Sequence, residues 1–176
     1  IGSGSGGAAV AGRLSEDGRT TVCLLEAGGK DLHPFIHIPV LFPHLLTNPK
    51  TTWLRKSEPV PGLNGRPMFF PSGKVLGGSS SINGMLYIRG QAKDYDDWRD
   101  IGNNGWGWED VLPYYKKMEN HAHGGNDDHG VGGPITVTNT ELSNESSNKF
   151  LESAVAAGIP RISDLNTGDQ FGISTV

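Results

Sequence analysis

Two glycine clusters are the part of this sequence best suited to chemistry. The first, at residues 1–7, reads IGSGSGG and places Gly2, Gly4 and Gly7 in the spacing GxGxxG. The second lies within Gly73–Asp96, which reads GKVLGGSSSINGMLYIRGQAKDYD. Glycines leave room for ligand atoms against the main chain, and bare amides and serine hydroxyls donate hydrogen bonds. Both clusters suit contact with a flat or phosphorylated ligand, although the second alone also fits a plain turn.

The first cluster stands in the context of a dinucleotide-binding turn. Small apolar residues follow Gly7 and predict a helix, and Thr20–Leu25 (TTVCLL) predicts a buried parallel strand. Glu26 comes 19 residues after Gly7, close to the spacing of about 20 at which a carboxylate binds an adenosine ribose. Gly2 would then form the turn and Gly4 would admit a pyrophosphate, while Gly7 would let helix and strand close up. A solvated strand-end carboxylate is the alternative for Glu26.

Composition limits the class of protein. The 176 residues allow one domain, or one domain and a piece of another. A net charge of −4 provides no basic surface, so we expect no nucleic-acid partner. The single cysteine, Cys23, predicts a buried thiol in a reducing compartment, and no apolar run is long enough to span a bilayer. We therefore expect a cytoplasmic protein, with membrane association left open.

Histidine clusters give weaker hypotheses. His33 and His37 are four residues apart, but Pro34 lies between them and no third ligand is suitably spaced. The segment His121–Gly133 (HAHGGNDDHGVGG) contains three histidines and two aspartates, yet no helix or hairpin fixes their geometry. A solvated loop is the favoured interpretation of that segment. We predict no metal site.

The remaining pattern predicts a mixture of helices and strands. Residues 109–120 and 147–157 are predicted as helices and residues 134–138 as a strand. Trp106 and Trp108 lie among glycines, and we expect both to pin a loop onto the core rather than to stack on a ligand. Because Ile1 stands directly before the glycines, we also expect a first strand upstream of it.

Taken in order, these segments resemble the glucose-methanol-choline (GMC) oxidoreductase family. The likeness lies in GSGSGG, in LLEAGG around Glu26, in the whole of Gly73–Asp96, and in GWGWEDVLPYYKKME and HGVGGPITVT. SSINGMLYIRGQAKDYDDW and LNTGDQFG are most similar to the branch of choline dehydrogenases and aliphatic alcohol dehydrogenases. The resemblance implies an α/β fold and the N-terminal part of a longer chain. Residues 1–140 would form an incomplete Rossmann-like FAD-binding domain with a truncated first strand, and residues 141–176 the beginning of a substrate-binding domain.

The resemblance also implies which residues hold FAD. They would be Gly2, Ser3, Gly4, Ser5 and Gly6 at the pyrophosphate, Glu26 and Ala27 at the adenosine end, and Val75, Gly78, Asn83, Gly84, Met85 and Leu86 along the pyrophosphate and flavin ring. Ile82 stands where some relatives carry a histidine bonded to FAD, so we expect a non-covalent cofactor.

The activity implied by the resemblance is oxidation of a primary alcohol, choline-like or aliphatic or aromatic, to an aldehyde. Hydride would pass to flavin N5, and oxygen or a quinone would accept the electrons, with a dehydrogenase expected over an oxidase. We assign no catalytic residue, because the family's histidine base would lie beyond Val176, in the remainder of the chain. Two alternatives stay open: a hydroxynitrile lyase of the same fold, and a non-catalytic flavin-binding fragment. A nicotinamide dehydrogenase fits Glu26 and the first glycines but not Gly73–Asp96.

Overall fold

The computed structural model describes residues 1–139 and 144–175. They form two compact units, Ile1–Leu86 and Tyr87–Val176. The predicted domain boundary, between residues 140 and 141, lies outside the described residues, so that division stays a prediction. No helix within the described ranges is both long enough and apolar enough to cross a bilayer.

Short helices and a two-stranded sheet make up the regular structure of the first unit. These elements are α1 (Ser5–Ser15), α2 (Phe42–Leu45), β1 (Thr52–Lys56) and β2 (Phe69–Gly73), with 3₁₀ turns at Pro34–His37, Pro39–Leu41, Pro61–Leu63 and Gly78–Ser81. The strands pair antiparallel, from Thr52 opposite Gly73 to Lys56 opposite Phe69. Proline opens three of the 3₁₀ turns, where its fixed φ suits the first position and its missing N–H is not needed.

A small apolar core fixes the second glycine cluster from both sides. Leu45, Val75 and Ile82 are buried against one another, so one core residue precedes the cluster and another follows it. The hydroxyl of Thr52 donates to the Leu45 carbonyl at 2.6 Å, which ties β1 to the same core. Val75 also forms an isolated parallel bridge with Gly29. The core therefore sets where the glycines between Val75 and Ile82 lie.

The predicted strand at Thr20–Leu25 is wrong for the described structure. The segment is irregular, Leu24 and Leu25 are exposed, and Cys23 is exposed rather than buried. A strand needs a neighbour that pairs along its length, and no described strand does so here. The Gly2 N–H donates to the Leu25 carbonyl at 2.7 Å. This hydrogen bond holds the end of the segment beside the first glycine turn.

The second unit has the helices and the strand that the sequence predicts. It contains α3 (Ala92–Asp100), α4 (Trp108–Met118), β3 (Glu119–His121), β4 (Ile135–Val137) and α5 (Glu145–Ala156). β3 and β4 pair in parallel, so α4 ends before Glu119 rather than at the predicted Asn120. The side chain of Asn144 accepts from the Ser146 N–H at 2.8 Å, and this cap starts α5 two residues before its predicted first residue, Ser147.

The two tryptophans before α4 have different surroundings. Trp108 is buried, and its ring lies 5.7 Å from that of Tyr95, as the core interpretation predicts. Trp106 is more than half exposed, and the prediction is wrong for it. Its ring meets the edge of the exposed Trp98 at 6.0 Å.

Candidate functional site

The first glycine cluster forms a turn that leads directly into α1. Gly2 has φ +82°, a conformation that L side chains rarely adopt. A Cβ on Gly7 would lie 1.8 Å from the Gly2 carbonyl oxygen, so the helix begins in backbone contact with the turn. A Cβ on Gly4 or Gly6 would meet no atom within 4 Å. Backbone conformation thus favours glycine at Gly2 and packing requires it at Gly7, whereas Gly4 and Gly6 face open space.

The start of α1 is free to bind an anion. Gly4 is the N-cap residue, and no side chain caps the helix there. The first N–H groups of any helix lack partners inside the helix, and the helix dipole makes this end positive. The structure therefore places unsubstituted backbone donors next to open space, which is the arrangement that phosphate groups occupy in dinucleotide-binding folds.

Glu26 is fixed next to this turn by three hydrogen bonds. Ser3 donates to Glu26 Oε2 from its N–H at 2.8 Å and from its hydroxyl at 2.7 Å. The Gly28 N–H donates to Glu26 Oε1 at 2.7 Å. The backbone N–H groups of Ser3 and Gly28 and the Ser3 hydroxyl lower the pKa of Glu26 to about 2. The carboxylate is therefore ionised at any physiological pH, and its position is set by the protein.

The second glycine cluster packs onto the first. Gly78 has φ +58°, and a Cβ there would lie 2.8 Å from the Cα of Gly4. The Gly77 N–H donates to the Ser3 hydroxyl at 3.0 Å. A Cβ on Gly73 would lie 2.1 Å from the backbone of Gly78. Backbone lies directly against backbone at Gly78 and at Gly73, so a side chain at either position would clash.

A third segment, residues 26–29, packs against the second glycine cluster. A Cβ on Gly28 would lie 2.1 Å from the backbone of Lys74 and Val75, and the Leu76 N–H donates to the Gly29 carbonyl at 2.8 Å. Segments 2–7, 26–29 and 73–81 thus meet in what we term the glycine junction. It contains the predicted site residues Gly2, Ser3, Gly4, Ser5, Gly6, Glu26, Ala27, Val75 and Gly78. The predicted site residues did not include Gly28, Gly73 and Gly77. Gly28 and Gly77 each begin a pair of adjacent glycines, and this pairing was a signal in the sequence that could have identified them.

The other four predicted site residues have different contacts. Asn83, Gly84, Met85 and Leu86 follow the buried Ile82, and a Cβ on Gly84 would lie 3.4 Å from the ring of Phe42 in α2. Met85 adopts φ +59°, and its N–H donates to Asn83 Oδ1 at 3.0 Å. The side chains of Met85 and Leu86 are exposed. Within this segment Gly84 lies against α2, and the role of the segment at a flavin ring stays a prediction.

A buried polar network occupies the second unit. Glu119 is 0% exposed; its Oε2 accepts from Arg89 Nη2 at 2.9 Å and its Oε1 lies 2.9 Å from His129 Nδ1. His129 Nε2 lies 2.6 Å from Asp164 Oδ2. Both ring nitrogens of His129 therefore face carboxylate oxygens. Burial opposes protonation of His129, but its hydrogen bonds to Glu119 and Asp164 outweigh burial and raise its pKa.

This network corrects the interpretation of His121–Gly133 as a solvated loop at His129 and Gly130, whereas residues 122–127 are exposed as that interpretation predicts. His129 and Gly130 are buried, and the Gly130 N–H donates to Glu119 Oε2 at 2.8 Å. Glu119, His121 and His129 each offer one ligand atom, all within 4.8 Å of one another. However, both oxygens of Glu119 and both ring nitrogens of His129 already have hydrogen-bond partners. The geometry is that of an ion-pair network rather than a metal centre.

The glycine junction, with an uncapped helix beside a fixed carboxylate, has the arrangement typical of dinucleotide-binding proteins of the α/β class. The chain belongs to the GMC oxidoreductase family, whose model matches residues 2–176. The predicted family is therefore confirmed. So is the fold class, an α/β FAD-binding fold of the GMC type.

Three similar proteins show how far the match extends. The oxygen-dependent choline dehydrogenase of Rhizobium rhizogenes is 47% identical over 173 residues, which cover 98% of this chain and 31% of that enzyme. Pyridoxine 4-oxidase from Mesorbium loti matches with a TM-score of 0.90 at 35% identity, over 97% of this chain and 34% of its own. An FAD-dependent oxidoreductase from Chaetomium thermophilum matches with a TM-score of 0.82 at 31% identity, over 97% of this chain and 31% of its own. The chain thus spans about a third of the length of these relatives. Membership of the GMC family and the likeness to an FAD-dependent oxidoreductase indicate FAD as the cofactor.

Proposed function

We propose that this chain is the FAD-holding part of an oxidoreductase that converts a primary alcohol to an aldehyde. The observation that carries the proposal is the glycine junction, where free helix N–H groups and open space at Gly4 lie next to the fixed carboxylate of Glu26. A pyrophosphate needs the donors and the space, and an adenosine ribose needs an acceptor for its hydroxyls. The residues present therefore fit FAD.

In this proposal the junction binds and orients the cofactor. Gly4, Ser5 and Gly6 would donate N–H groups to the pyrophosphate, and Glu26 would accept from the ribose. Asn83–Leu86 would follow the flavin ring. Bound FAD would supply the chemistry by accepting hydride from the alcohol carbon. Ile82 is buried and has no nucleophilic atom, which supports a non-covalent cofactor. No described residue is proposed as the base that takes the hydroxyl proton.

The substrate class rests on the names of the relatives. Choline and pyridoxine, named in two of them, both carry a primary alcohol group. A small primary alcohol is therefore the proposed substrate of the whole protein. The choline dehydrogenase is described as oxygen-dependent, so we propose oxygen as electron acceptor, with a quinone as the alternative. A hydroxynitrile lyase would keep FAD in the same fold without transferring electrons from an alcohol.

The cofactor site is tested by Gly4→Ala in the whole protein. The new methyl group would meet no protein atom within 4 Å and would occupy the space proposed for the pyrophosphate. We expect FAD to bind roughly 5- to 150-fold more weakly, as for a close contact that is overpacked. The control is Gly12→Ala, the same change within α1, where a Cβ also meets nothing within 4 Å. Equal FAD affinity in both variants would contradict the placement of the pyrophosphate.

The reaction is tested with the same protein under anaerobic conditions. Primary alcohols, choline among them, are mixed with the purified yellow enzyme, and the visible absorbance of the flavin is followed. We expect at least one alcohol to bleach the flavin and admission of oxygen to restore it. A protein that binds FAD but is bleached by no alcohol, and that splits a cyanohydrin, would be a lyase. A whole protein that binds no FAD would overturn the proposal completely.

A further inference from the structure

Ser3 is enclosed although its neighbours in the turn are not. Its exposed fraction is 2%, whereas Gly2 and Gly4 are half-buried and Ser5 is exposed. The Ser3 hydroxyl donates to Glu26 Oε2 at 2.7 Å and accepts from the Gly77 N–H at 3.0 Å. Its own N–H also donates to Glu26 Oε2. A hydroxyl has a single proton to donate, and that proton is already directed at Glu26.

The two partners of Ser3 belong to the other two segments of the glycine junction. Glu26 begins segment 26–29, and Gly77 lies in segment 73–81, which packs on Gly4 through Gly78. Ser3 is thus the side chain that links all three segments by direct hydrogen bonds. Alanine at this position would keep the backbone bond to Glu26 but would leave the Gly77 N–H without its acceptor.

We propose that Ser3 is a positioning residue, whose hydroxyl holds the Glu26 carboxylate and the Gly77 amide in register for FAD, and not a ligand of the pyrophosphate. The inference rests on the proposed function, because it assigns Glu26 to the FAD site. It changes the role of one predicted site residue: Ser3 acts through Glu26 and Gly77, and the phosphate contacts are left to Gly4, Ser5 and Gly6. Because two of the three hydrogen bonds on Glu26 come from Ser3, the orientation of the carboxylate depends mainly on this residue.

The role predicts a pH-dependent defect in Ser3→Ala. The Ser3 hydroxyl is one of the groups that lower the pKa of Glu26 to about 2, so its loss should raise that pKa toward the ordinary value of 4.5. FAD would then dissociate as the pH falls through a range in which the wild-type protein still binds it. A mere loss of packing would weaken FAD binding by the same factor at every pH.

The experiment measures the FAD dissociation constant of the whole apoprotein by flavin fluorescence between about pH 2.5 and 7, a range that includes the ordinary Glu26 pKa of 4.5 and the values just below it, for wild type, Ser3→Ala and Ser15→Ala. Ser15 is an exposed serine at the end of α1 and serves as the control. We expect Ser3→Ala to weaken binding roughly 10- to 100-fold, with the larger loss at acidic pH, and Ser15→Ala to match wild type. The carboxyl ¹³C shift of Glu26, followed against pH in apoprotein, should show the raised pKa without any FAD.

Two results would decide against the inference or separate it from the proposed function, and a second variant tests the inference if the first does not fold. If Ser3→Ala binds FAD like wild type, or loses affinity equally at all pH values with an unchanged Glu26 titration, Ser3 does not position Glu26. If the wild-type protein itself binds no FAD, the proposed function fails, while the Glu26 titration still tests the hydrogen bonds. If Ser3→Ala does not fold, Ser3→Cys fills similar space with a weaker donor and acceptor and should move the titration in the same direction.

Discussion

Replacing Glu119 by glutamine should release the buried network of the second unit. The side chain keeps its shape but loses the charge that faces Arg89 and His129. An NH₂ group in place of Oε2 would point at the donors Arg89 and Gly130, and one in place of Oε1 would face Nδ1 of His129, which accepts only when the ring is neutral with its proton on Nε2. The Arg89 guanidinium would be left buried without its carboxylate partner.

The size of the effect follows from burial. The side chains of Arg89 and Glu119 are 1% and 0% exposed, and removing one partner of a buried ion pair costs about 3–5 kcal/mol. At 1.4 kcal/mol for each factor of ten, local opening should become roughly 10²- to several times 10³-fold more frequent. Amide hydrogen exchange in the whole protein measures this. The Arg89 N–H, which donates to Asn166 Oδ1 at 2.9 Å, and the Ala92 N–H, which donates to the Gly168 carbonyl at 2.9 Å, are suitable reporters.

Glu145→Gln is the matched control. It removes the same charge from an ion pair with Lys149 in which the side chains are 81% and 71% exposed, and exposed pairs contribute little to stability. We expect exchange within α5 to change less than about twofold. Exchange at Arg89 and Ala92 that rises less than tenfold in Glu119→Gln would refute the argument that the network holds residues 164–170. Equal effects of the two substitutions would refute the argument from burial.

Two further outcomes follow from the geometry. Protection of residues 164–170 should be greatest between pH 3.8, the ordinary pKa of the Asp164 carboxyl, and pH 6.5, the ordinary pKa of the His129 imidazole. Because the pKa of His129 is raised in the folded protein, its contribution to stability is lost as the pH rises through that folded pKa. Because the pKa of Asp164 is lowered, its contribution is lost as the pH falls through that folded pKa. Hydrogen exchange against pH, corrected for intrinsic rates, measures this protection, and protection that falls on neither side of the window would contradict the assignment. Gly78→Ala should weaken FAD binding and destabilise the first unit, because its Cβ would lie 2.8 Å from Gly4 at φ +58°. Gly65→Ala, also at positive φ but in open space, should show only the backbone strain, and equal melting temperatures and FAD affinities for the two would count against the junction.

The sequence predicts the glycine junction better than it predicts the sheet. The spacing of Gly2 and Gly7 indicates a tight turn closed onto a helix, and both features are present, because they depend on backbone geometry over a few residues. Thr20–Leu25 has the composition of a buried strand. Composition cannot supply a pairing neighbour, however, and pairing decides whether such a segment becomes a strand.

The buried network could not be found in the sequence for a related reason. Arg89 meets Asn166 across 77 positions and Glu119 across 30, and local periodicity carries no information about partners so far apart. His129 lies in a run of glycines, histidines and aspartates that is typical of a surface loop. Its hydrogen bond to the buried Glu119 of β3 distinguishes this histidine from the exposed residues 122–127 that precede it.

The distance along the chain between Ser3 and Gly77 has a consequence for folding. The two residues are 74 positions apart, and closing a loop of that length costs entropy before any contact can compensate for it. Helices such as α1 and α4 need only local contacts and can form early. The glycine junction requires three distant segments at once, and its contacts are short and mostly between backbones. We therefore expect it to assemble late and as one cooperative step, so that flavin binding during refolding should lag behind the recovery of helical circular dichroism.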